Sequence, residues 1–198
     1  MTTWFTSDTH FGHANAIGFT DRPFGDVDAM TEGLLAAIND RVTATDHLYI
    51  LGDFSFKLNL AQARAVRERI NCQNVHLVPG NHDRDWSNVN EPLTRGVFIV
   101  EPPIKVIKER RRKIVMSHYP MMDWQGLSHA AIHLHGHIHA PAAYNERNRS
   151  LRLLRYDVGV DANGYVPVSM DQVFAFFDGI EPRLRMDWTQ WAVLAEDA

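Results

Sequence analysis

The sequence contains one cysteine, no long apolar run and no excess of positive charge. Cys72 has no second cysteine with which to form a disulfide inside the chain, which agrees with a reducing compartment. No run of about eighteen apolar residues occurs, and residues 1–5 lack the basic segment that opens a signal peptide. We therefore expect a cytoplasmic protein with no membrane partner.

The charge balance argues against a broad nucleic-acid-binding face, because the net charge is -4 and the isoelectric point is near 6.2. One basic run, at residues 109–113, lies between two strand-like segments. A solvated hairpin tip is favoured for this run over a phosphate contact.

The chain also lacks internal repeats, low-complexity segments and linkers. Its 198 residues, 45% apolar and 22% charged, suffice for one domain with a real core, which excludes disordered and fibrous classes. We predict a single domain that spans residues 1–198.

Short apolar strands alternate with amphipathic helices in the first half of the chain. Strands are predicted at residues 2–6, 47–51 and 75–78. A helix over 27–42 is predicted from apolar residues at every third or fourth position, with Asp26 as its cap. A second helix, over 60–70, follows Asn59 and Gln62, which have the spacing of a capping box.

Strand-like segments dominate the second half, which favours antiparallel pairing. Ser169 and Gln172 have capping-box spacing before residues 173–177, so a short helix ending at Gly179 is predicted there, although the aromatic content equally suits a strand. A last helix is predicted over 186–194. The strand-like segments are 97–100, 104–107, 114–117, 132–135 and 151–158. The expected fold is an α/β layered sandwich of two mixed sheets flanked by helices.

Four histidines alternate with apolar residues and a glycine over residues 132–139. In an extended chain, His137 and His139 reach the same side, and two imidazoles that converge on one point suggest a metal site. Buried histidines that only form hydrogen bonds are an equal alternative for this stretch taken alone.

Polar clusters follow five of the predicted strands, at the carboxyl ends where α/β sheets bind ligands. Taken singly, each has an ordinary explanation as a helix cap or turn. Together they place carboxylate, amide and imidazole groups in one crevice, a mixture that suits Mn, Fe or Zn better than Ca. The clusters are Asp8-Thr9-His10, Gly52-Asp53, Asn81-His82-Asp83, Ser117-His118 and residues 136–139.

The order D-x-H, G-D, G-N-H-D, H and G-H-x-H over residues 8–139 resembles the calcineurin-like metallophosphoesterase superfamily. Three further runs, at 5–13, 22–24 and 158–165, resemble a small bacterial and phage branch of predicted phosphoesterases. This second resemblance covers most of the chain.

The resemblance implies two divalent metal ions bridged by Asp53, with manganese expected first and iron, zinc, nickel or cobalt as alternatives. A hydroxide shared by the ions would attack the phosphoester directly. His82, which is not among the implied metal ligands, would donate a proton to the leaving group. The implied ligands are Asp8, His10, Asp53 and His139 for one ion, and Asp53, Asn81, His118 and His137 for the other.

Other polar residues receive weaker interpretations. His13 either touches substrate or orders its loop, and Arg22 either grips a phosphate or forms a surface salt bridge. His133 and His135 are expected to lie deeper along their strand and to form hydrogen bonds.

The residues after Asp53 bear on the substrate. In protein phosphatases of the superfamily that this chain resembles, a V-D-R-G-like run usually follows the bridging Asp. This chain has Phe54-Ser55-Phe56-Lys57 instead. The carboxylate that commonly supports the catalytic histidine therefore has no counterpart at Phe56, and the partner of His82 stays open. We expect phosphodiesters or small phosphates, nucleotide- and nucleic-acid-derived ones included.

Three alternatives remain at this point. The first is a phosphomonoesterase or protein phosphatase of the same superfamily. The second is a hydrolase of the metallo-β-lactamase type, whose H-x-H-x-D-H cluster is absent, and the third is a catalytically silent scaffold, which would need ligand losses that the sequence does not show. The oligomeric state cannot be read from the sequence.

Overall fold

The chain folds into two β-sheets with helices packed against them. A computed structural model describes residues 1–88 and 90–185. The helix predicted over 186–194 lies outside these residues. In the described part no helix has both the length and the apolarity that a membrane crossing requires.

The helices and strands are numbered in chain order. The strands are β1 (Thr3–Thr6), β2 (His47–Ile50), β3 (Asn74–Leu77), β4 (Ile99–Val100), β5 (Ile104–Glu109), β6 (Arg112–Ser117), β7 (Ile132–His135), β8 (Arg155–Asp157) and β9 (Val168–Ser169). The helices are α1 (Ala14–Phe19), α2 (Val27–Asn39), α3 (Leu60–Glu68), α4 (Ala143–Ser150) and α5 (Met170–Phe176). Two single 3₁₀ turns lie at Leu127–His129 and Asp161–Asn163.

The first sheet has the strand order β4-β3-β2-β1-β9. Strands β1 to β4 are parallel, and β9 joins β1 in the antiparallel direction. The helical connections between β1, β2 and β3 agree with the alternation that the sequence predicts. Because these strands are parallel, their carboxyl ends lie along one edge of the sheet.

The second sheet has the order β5-β6-β7-β8 and corrects one prediction. Strands β5 and β6 form the expected antiparallel hairpin, with a tight turn at Arg110 and Arg111. The β6–β7 and β7–β8 pairs are parallel, so the prediction of antiparallel pairing was wrong for them. Both sheets are thus mixed, and the predicted fold class of two mixed sheets flanked by helices is confirmed.

Two apolar cores hold the layers together. In β2, Leu48 and Ile50 point towards α2 and α3, whereas Tyr49 points towards the second sheet, as expected for alternating side chains. The core between the sheets also takes in Ile114 and Leu134. The sheets therefore pack face to face, and the first sheet is covered by helices on its other side.

Side-chain caps fix where three helices begin. The Asp26 carboxylate accepts the N–H of Ala29 at the start of α2. Both predicted capping boxes form, at Asn59 before α3 and at Ser169 before α5. The segment after Ser169 is therefore a helix, and the strand alternative is excluded.

Two helices were not predicted. The sequence predicts no element where α1 and α4 form, and of the strand predicted at 151–158 only Arg155–Asp157 forms. Helix α4 has no apolar stripe, and its buried residues include Asn145 and Asn148. Asn145 exchanges two hydrogen bonds with the backbone of Asp157, so a polar contact joins this helix to β8.

Candidate metal centre

The polar clusters predicted at the strand ends come together at the seam between the two sheets. Backbone hydrogen bonds join the loops: the N–H of Asp8 donates to Gly52 O at 3.1 Å, and that of His10 donates to Asp53 O at 3.0 Å. The N–H of Gly136 donates to His118 O at 3.0 Å. These bonds fix the relative positions of loops that are far apart in the chain.

One cluster consists of Asp8, His10 and His139, whose ligand atoms all lie within 4.8 Å of one another. Asp8 and His10 follow β1, and His139 follows β7. His139 Nδ1 lies 2.8 Å from the Asp161 carboxylate, so this nitrogen donates and Nε2 keeps a free lone pair. The Asp8 carboxylate accepts the N–H of His137 through Oδ2 only.

A second cluster consists of Asp53, His118 and His137, again within 4.8 Å. His118 Nδ1 donates to Leu51 O at 2.8 Å, which leaves the lone pair of Nε2 free. This Nε2 atom lies 2.9 Å from Asn81 Oδ1 and 3.1 Å from His137 Nδ1. Asn81 therefore lies in contact with the second cluster.

Asp53 lies between the two clusters. Its Oδ2 atom is 3.5 Å from His10 Nε2 and 3.5 Å from His118 Nε2. Its Oδ1 atom accepts the backbone N–H of His82 at 2.9 Å. One carboxylate oxygen is thus fixed by the backbone, and the other faces both groups of imidazoles. A carboxylate in this position fits a bridge between two cations.

The buried ligand atoms need a cation. Asp8 Oδ1 and both ring nitrogens of His10 are buried without a hydrogen-bond partner in the described residues. Burial raises the pKa of Asp8 to about 8 and lowers the pKa of His10 to about 2. A buried carboxylate beside the neutral imidazole of His10 is the environment that a divalent ion of the Mn to Zn series stabilises. The residues present therefore fit the metals that the sequence suggested.

Five of the seven predicted ligands have left-handed backbone conformations that non-glycine residues rarely adopt. Each such residue costs about 1–3 kcal/mol and persists only where the surrounding structure holds it. The residues, with φ in degrees, are Asp8 (57), His10 (49), Asp53 (54), His137 (74) and His139 (46). Strain concentrated in one site supports its interpretation as a functional centre.

Small residues let the loops approach closely. A side chain at Gly136 would collide with those of Ser7 and Asp8, and a side chain at Gly80 would collide with Asp53. Glycine is therefore required at both positions by the packing of the ligand loops.

The centre is closed on one side and open on the other. Asp8, His10, Asp53 and His118 are buried, whereas Asn81 and His82 are exposed and His137 is partly exposed. The ring of Tyr119 lies 4.4 Å from that of His137, and its side chain is half exposed. A substrate would enter from this open side.

His82 lies at the open side and belongs to neither cluster. Its ring centroid is 5.6 Å from that of His10 and 4.7 Å from that of Phe56, which it meets edge on. Among residues 1–88 and 90–185 the ring makes no hydrogen bond. The neighbour of the His82 ring on this side is thus the aromatic ring of Phe56.

His13 and Arg22 differ in their relation to the open side. The ring of His13 packs between those of His10 and Phe56, at 5.3 and 4.3 Å. Arg22 is buried, and its guanidinium bonds to the Asp161 carboxylate and to backbone carbonyls. The salt bridge weighed for Arg22 exists, but it is buried and not at the surface.

His133 and His135 form the hydrogen bonds predicted for them. His133 Nδ1 donates to Val115 O, and its Nε2 accepts the N–H of Met121 at 3.0 Å. His135 Nδ1 donates to Gly136 O, and Nε2 lies 3.2 Å from the hydroxyl of Tyr144. Neither residue belongs to a candidate metal cluster.

Two acidic residues of the site had no predicted role. Asp83 accepts the backbone N–H groups of Asp53, Phe54 and Gly80, and Asp161 contacts His139 and Arg22. Both residues lie within motifs that the sequence shares with the superfamily or its branch. These motifs are the sequence signal from which a role for both residues could have been predicted.

A model of the calcineurin-like phosphoesterase superfamily domain matches residues 1–155, and the chain belongs to this superfamily. The uncharacterized protein MJ1445 of Methanocaldococcus jannaschii is 30% identical over 176 residues, covering 86% of this chain and 88% of that protein. The Gene 66 protein of Mycobacterium phage D29 is 28% identical over 203 residues, covering 91% and 98%.

A solved structure shares the fold. The protein of unknown function AQ665 from Aquifex aeolicus aligns with a TM-score of 0.68 and 24% sequence identity, over 88% of this chain and 98% of that one. The match of the superfamily model confirms the resemblance read from the motifs. The structure also contains two groups of residues that could hold metal ions.

Proposed function

We propose that the protein is a phosphoesterase that depends on two divalent metal ions and hydrolyses phosphodiesters or small phosphates, nucleotide- and nucleic-acid-derived ones included, by direct attack of water. The observation that carries this proposal is the position of Asp53, whose Oδ2 atom is 3.5 Å from an imidazole of each cluster. Two cations repel each other, and a shared anion makes a close pair tolerable.

Each ion would take ligands from one cluster and from Asp53. Asp8, His10 and His139 would hold the first ion, and Asn81, His118 and His137 the second. Bound ions would supply an activated water molecule and would offset the charge that develops on the phosphoryl group. Nitrogen and oxygen donors together favour manganese, iron, zinc, nickel or cobalt over calcium.

The protein's own contribution begins with orientation. Leu51 O fixes the tautomer of His118, and Asp161 fixes that of His139, so both rings present Nε2 to the centre. The N–H of His82 holds Oδ1 of the Asp53 carboxylate, while Oδ2 lies near His10 and His118. Groups held in place in this manner need little rearrangement during the reaction.

His82 is the proposed proton donor to the leaving alkoxide. Its backbone is tied to Asp53, its ring is exposed, and the ring lies beside the first cluster without belonging to it. A group that is near the reacting atoms and free of metal can protonate a basic leaving group.

The engagement of two arginines by groups of the chain itself favours diesters over monoesters. Arg22 is engaged with Asp161, and Arg84 donates to Leu58 O through two nitrogens. A dianionic monoester gains more from extra cations than a monoanionic diester does. Hydrolysis of phosphomonoesters or phosphoproteins is therefore the second candidate.

Metal analysis combined with hydrolysis assays tests the proposal. The full-length protein should contain up to two divalent ions and hydrolyse bis(p-nitrophenyl) phosphate; exhaustive chelation should abolish the activity, and added Mn²⁺ should restore it. Activity that survives complete removal of metal would overturn the proposal. Metal binding without hydrolysis of any diester or monoester would indicate a silent scaffold, and hydrolysis of lactones or amides alone would indicate another class of hydrolase.

A further inference from the structure

Arg22 connects the loop after β1 to the loop after β8. Its side chain has no solvent exposure, and each of its guanidinium nitrogens donates a hydrogen bond. Nε and one terminal nitrogen bind the two carboxylate oxygens of Asp161, at 2.9 and 2.8 Å. The terminal nitrogens also reach Asp8 O at 2.8 Å and Thr9 O at 3.2 Å. One guanidinium thus holds the chain that carries Asp8 and His10.

Asp161 carries this connection to the third residue of the first cluster. The Oδ2 atom that binds Arg22 also accepts the Nδ1 proton of His139 at 2.8 Å. Arg22 binds both oxygens of this carboxylate through two nitrogens, so Asp161 is the anionic partner of a buried ion pair. A charged acceptor on Nδ1 fixes the tautomer of a histidine ligand and makes its Nε2 a better donor to a metal.

The connection reaches only one of the two clusters. Arg22 and Asp161 together touch the backbone of Asp8, the residue before His10, and the ring of His139. Within the described residues neither makes a hydrogen bond or ion pair with Asp53, His118 or His137. The second cluster has a different support, the bond from His118 Nδ1 to Leu51 O.

We propose that Arg22 and Asp161 are positioning residues that act on one metal site alone, the site formed by Asp8, His10 and His139. This inference rests on the proposed function, because it requires that the two clusters hold metal ions. It gives a single role to two parts of the sequence, the 22–24 run and the 158–165 run, that are far apart in the chain and meet in the fold. It also replaces the phosphate contact that the sequence suggested for Arg22.

The test measures the two metal affinities separately. Metal-free, full-length protein is titrated with Mn²⁺ by calorimetry, and the spin coupling of neighbouring ions is followed by electron paramagnetic resonance. Asp161→Asn and Arg22→Lys should each weaken one site by roughly 10–100-fold, the usual effect of losing a partner of a metal ligand. The other site should keep its wild-type affinity. The signal of the spin-coupled pair of Mn²⁺ ions should appear only at a higher Mn²⁺ concentration than in the wild-type protein.

Second substitutions identify the site that is weakened. In Asp161→Asn protein, adding His137→Ala should remove the remaining tight site, whereas adding His139→Ala should leave that site unchanged. Equal weakening of both sites would overturn the inference in favour of a general structural role, and unchanged affinities would overturn it as well. The inference would also be overturned if adding His139→Ala removed the remaining tight site and adding His137→Ala left it unchanged.

Arg67→Lys is the matched control for a lost buried arginine. Arg67 is buried and donates to two backbone carbonyls, those of Ile70 and Cys72, but it contacts neither cluster. This variant should keep both wild-type metal affinities even where its thermal stability falls. A selective loss of the first site in Arg67→Lys would show that reduced stability alone explains the effect and would overturn the inference.

A measurement on the wild-type protein decides the question if the variants do not fold. Nitrogen-15 spectra of the imidazoles with bound ¹¹³Cd²⁺ should show a proton on His139 Nδ1 and coupling of the metal to Nε2. Coupling to Nδ1 would overturn the inference. Wild-type protein that binds fewer than two Mn²⁺ ions when titrated to saturation would end both the inference and the proposed function, whereas two ions without hydrolysis would end only the proposed function.

Discussion

Asp83 holds the backbone of Asp53 through a carboxylate oxygen that accepts the Asp53 N–H at 2.8 Å. The same oxygen accepts the N–H of Gly80 at 2.8 Å, and the other accepts that of Phe54 at 3.0 Å. The left-handed conformation of Asp53 is thus fixed by a residue that itself belongs to neither cluster.

We expect Asp83→Ala to reduce the free energy of unfolding by about 2–4 kcal/mol, because it leaves three partly buried N–H groups without an acceptor. Urea denaturation of metal-free protein measures this. Asp85→Ala is the control, since Asp85 is exposed and bonds only to Ser87 within the described part of the chain, and its effect should be negligible. Equal effects of the two substitutions would contradict the role of Asp83.

The shared position of Asp53 predicts that Asp53→Asn weakens both metal sites, whereas His13→Ala affects at most a substrate contact. Activity of Asp53→Asn should fall by more than the roughly 10–100-fold typical of residues that only support a ligand. Assays at a fixed, chelator-buffered Mn²⁺ concentration, with metal content measured in parallel, would compare the variants. Full activity in metal-free Asp53→Asn protein would refute the bridging role.

His82 as proton donor predicts a dependence on the leaving group. His82→Ala should slow the hydrolysis of an alkyl ester by roughly 10²–10⁴-fold, since a basic alkoxide needs a proton, and should slow that of a nitrophenyl ester much less. Metal content should stay at the wild-type value. The control is His129→Ala, because His129 is exposed and its side chain, among the described residues, bonds only to Ser128. Equal slowing of both esters at unchanged metal content would favour substrate positioning over proton donation.

The engagement of Arg22 and Arg84 predicts substrate preference. With both guanidinium groups bound inside the chain, a phosphodiester should be hydrolysed at least as well as a phosphoserine peptide. Values of kcat/KM with Mn²⁺, Ni²⁺, Zn²⁺ and Mg²⁺ would test this. A large preference for the peptide with several of these metals would contradict it and favour the protein phosphatase alternative.

Asp46 predicts how stability depends on pH away from the metal centre. Burial would raise its pKa, but N–H groups of Thr2, Thr43 and Trp4 donate to it and lower the pKa to about 2. Because the folded pKa lies below the ordinary value of 3.8, Asp46 stabilises the fold above about pH 4, and this contribution is lost as the pH falls towards 2.

Asp46→Asn should therefore destabilise the protein by roughly 1–2 kcal/mol at pH 7 and by little at pH 2. Chemical denaturation at several pH values checks this, with the exposed Asp40→Asn as control. A destabilisation that stays constant from pH 7 to pH 2 would contradict the assigned role of the charge.

The first half of the fold could be predicted because its signals are local. Helices α2 and α3 carry an apolar stripe and a side-chain cap, and β2 has the alternation that places Tyr49 opposite to Leu48. Helix α4 has neither signal, since asparagines form its buried contacts. The parallel pairing of β7 also leaves no local pattern, because strand direction depends on partners that are distant in sequence.

The ligands could be predicted because their motifs are short and occur in a fixed order, and the structure places them together. The residues that orient these ligands could not be predicted from the sequence. Arg22 and Asp161 are separated by 139 positions, and a single sequence contains no information that pairs them. The same holds for Phe56. The sequence shows that a carboxylate is absent at this position, but it does not show that the ring of Phe56 packs against His82.

The seam position of the centre has a mechanical consequence. Each cluster draws on both sheets, with Asp8, His10 and Asp53 supplied by the first sheet and His118, His137 and His139 by the second. A bound ion would therefore act as a cross-link between the layers, so metal binding and the docking of the two sheets would be coupled equilibria. At a thousand-fold excess of ion over Kd, metal binding would stabilise the docked sheets by about 4 kcal/mol per site. Chelation should then loosen the carboxyl edge of the sandwich before the apolar core opens, in the order that amide hydrogen exchange would record.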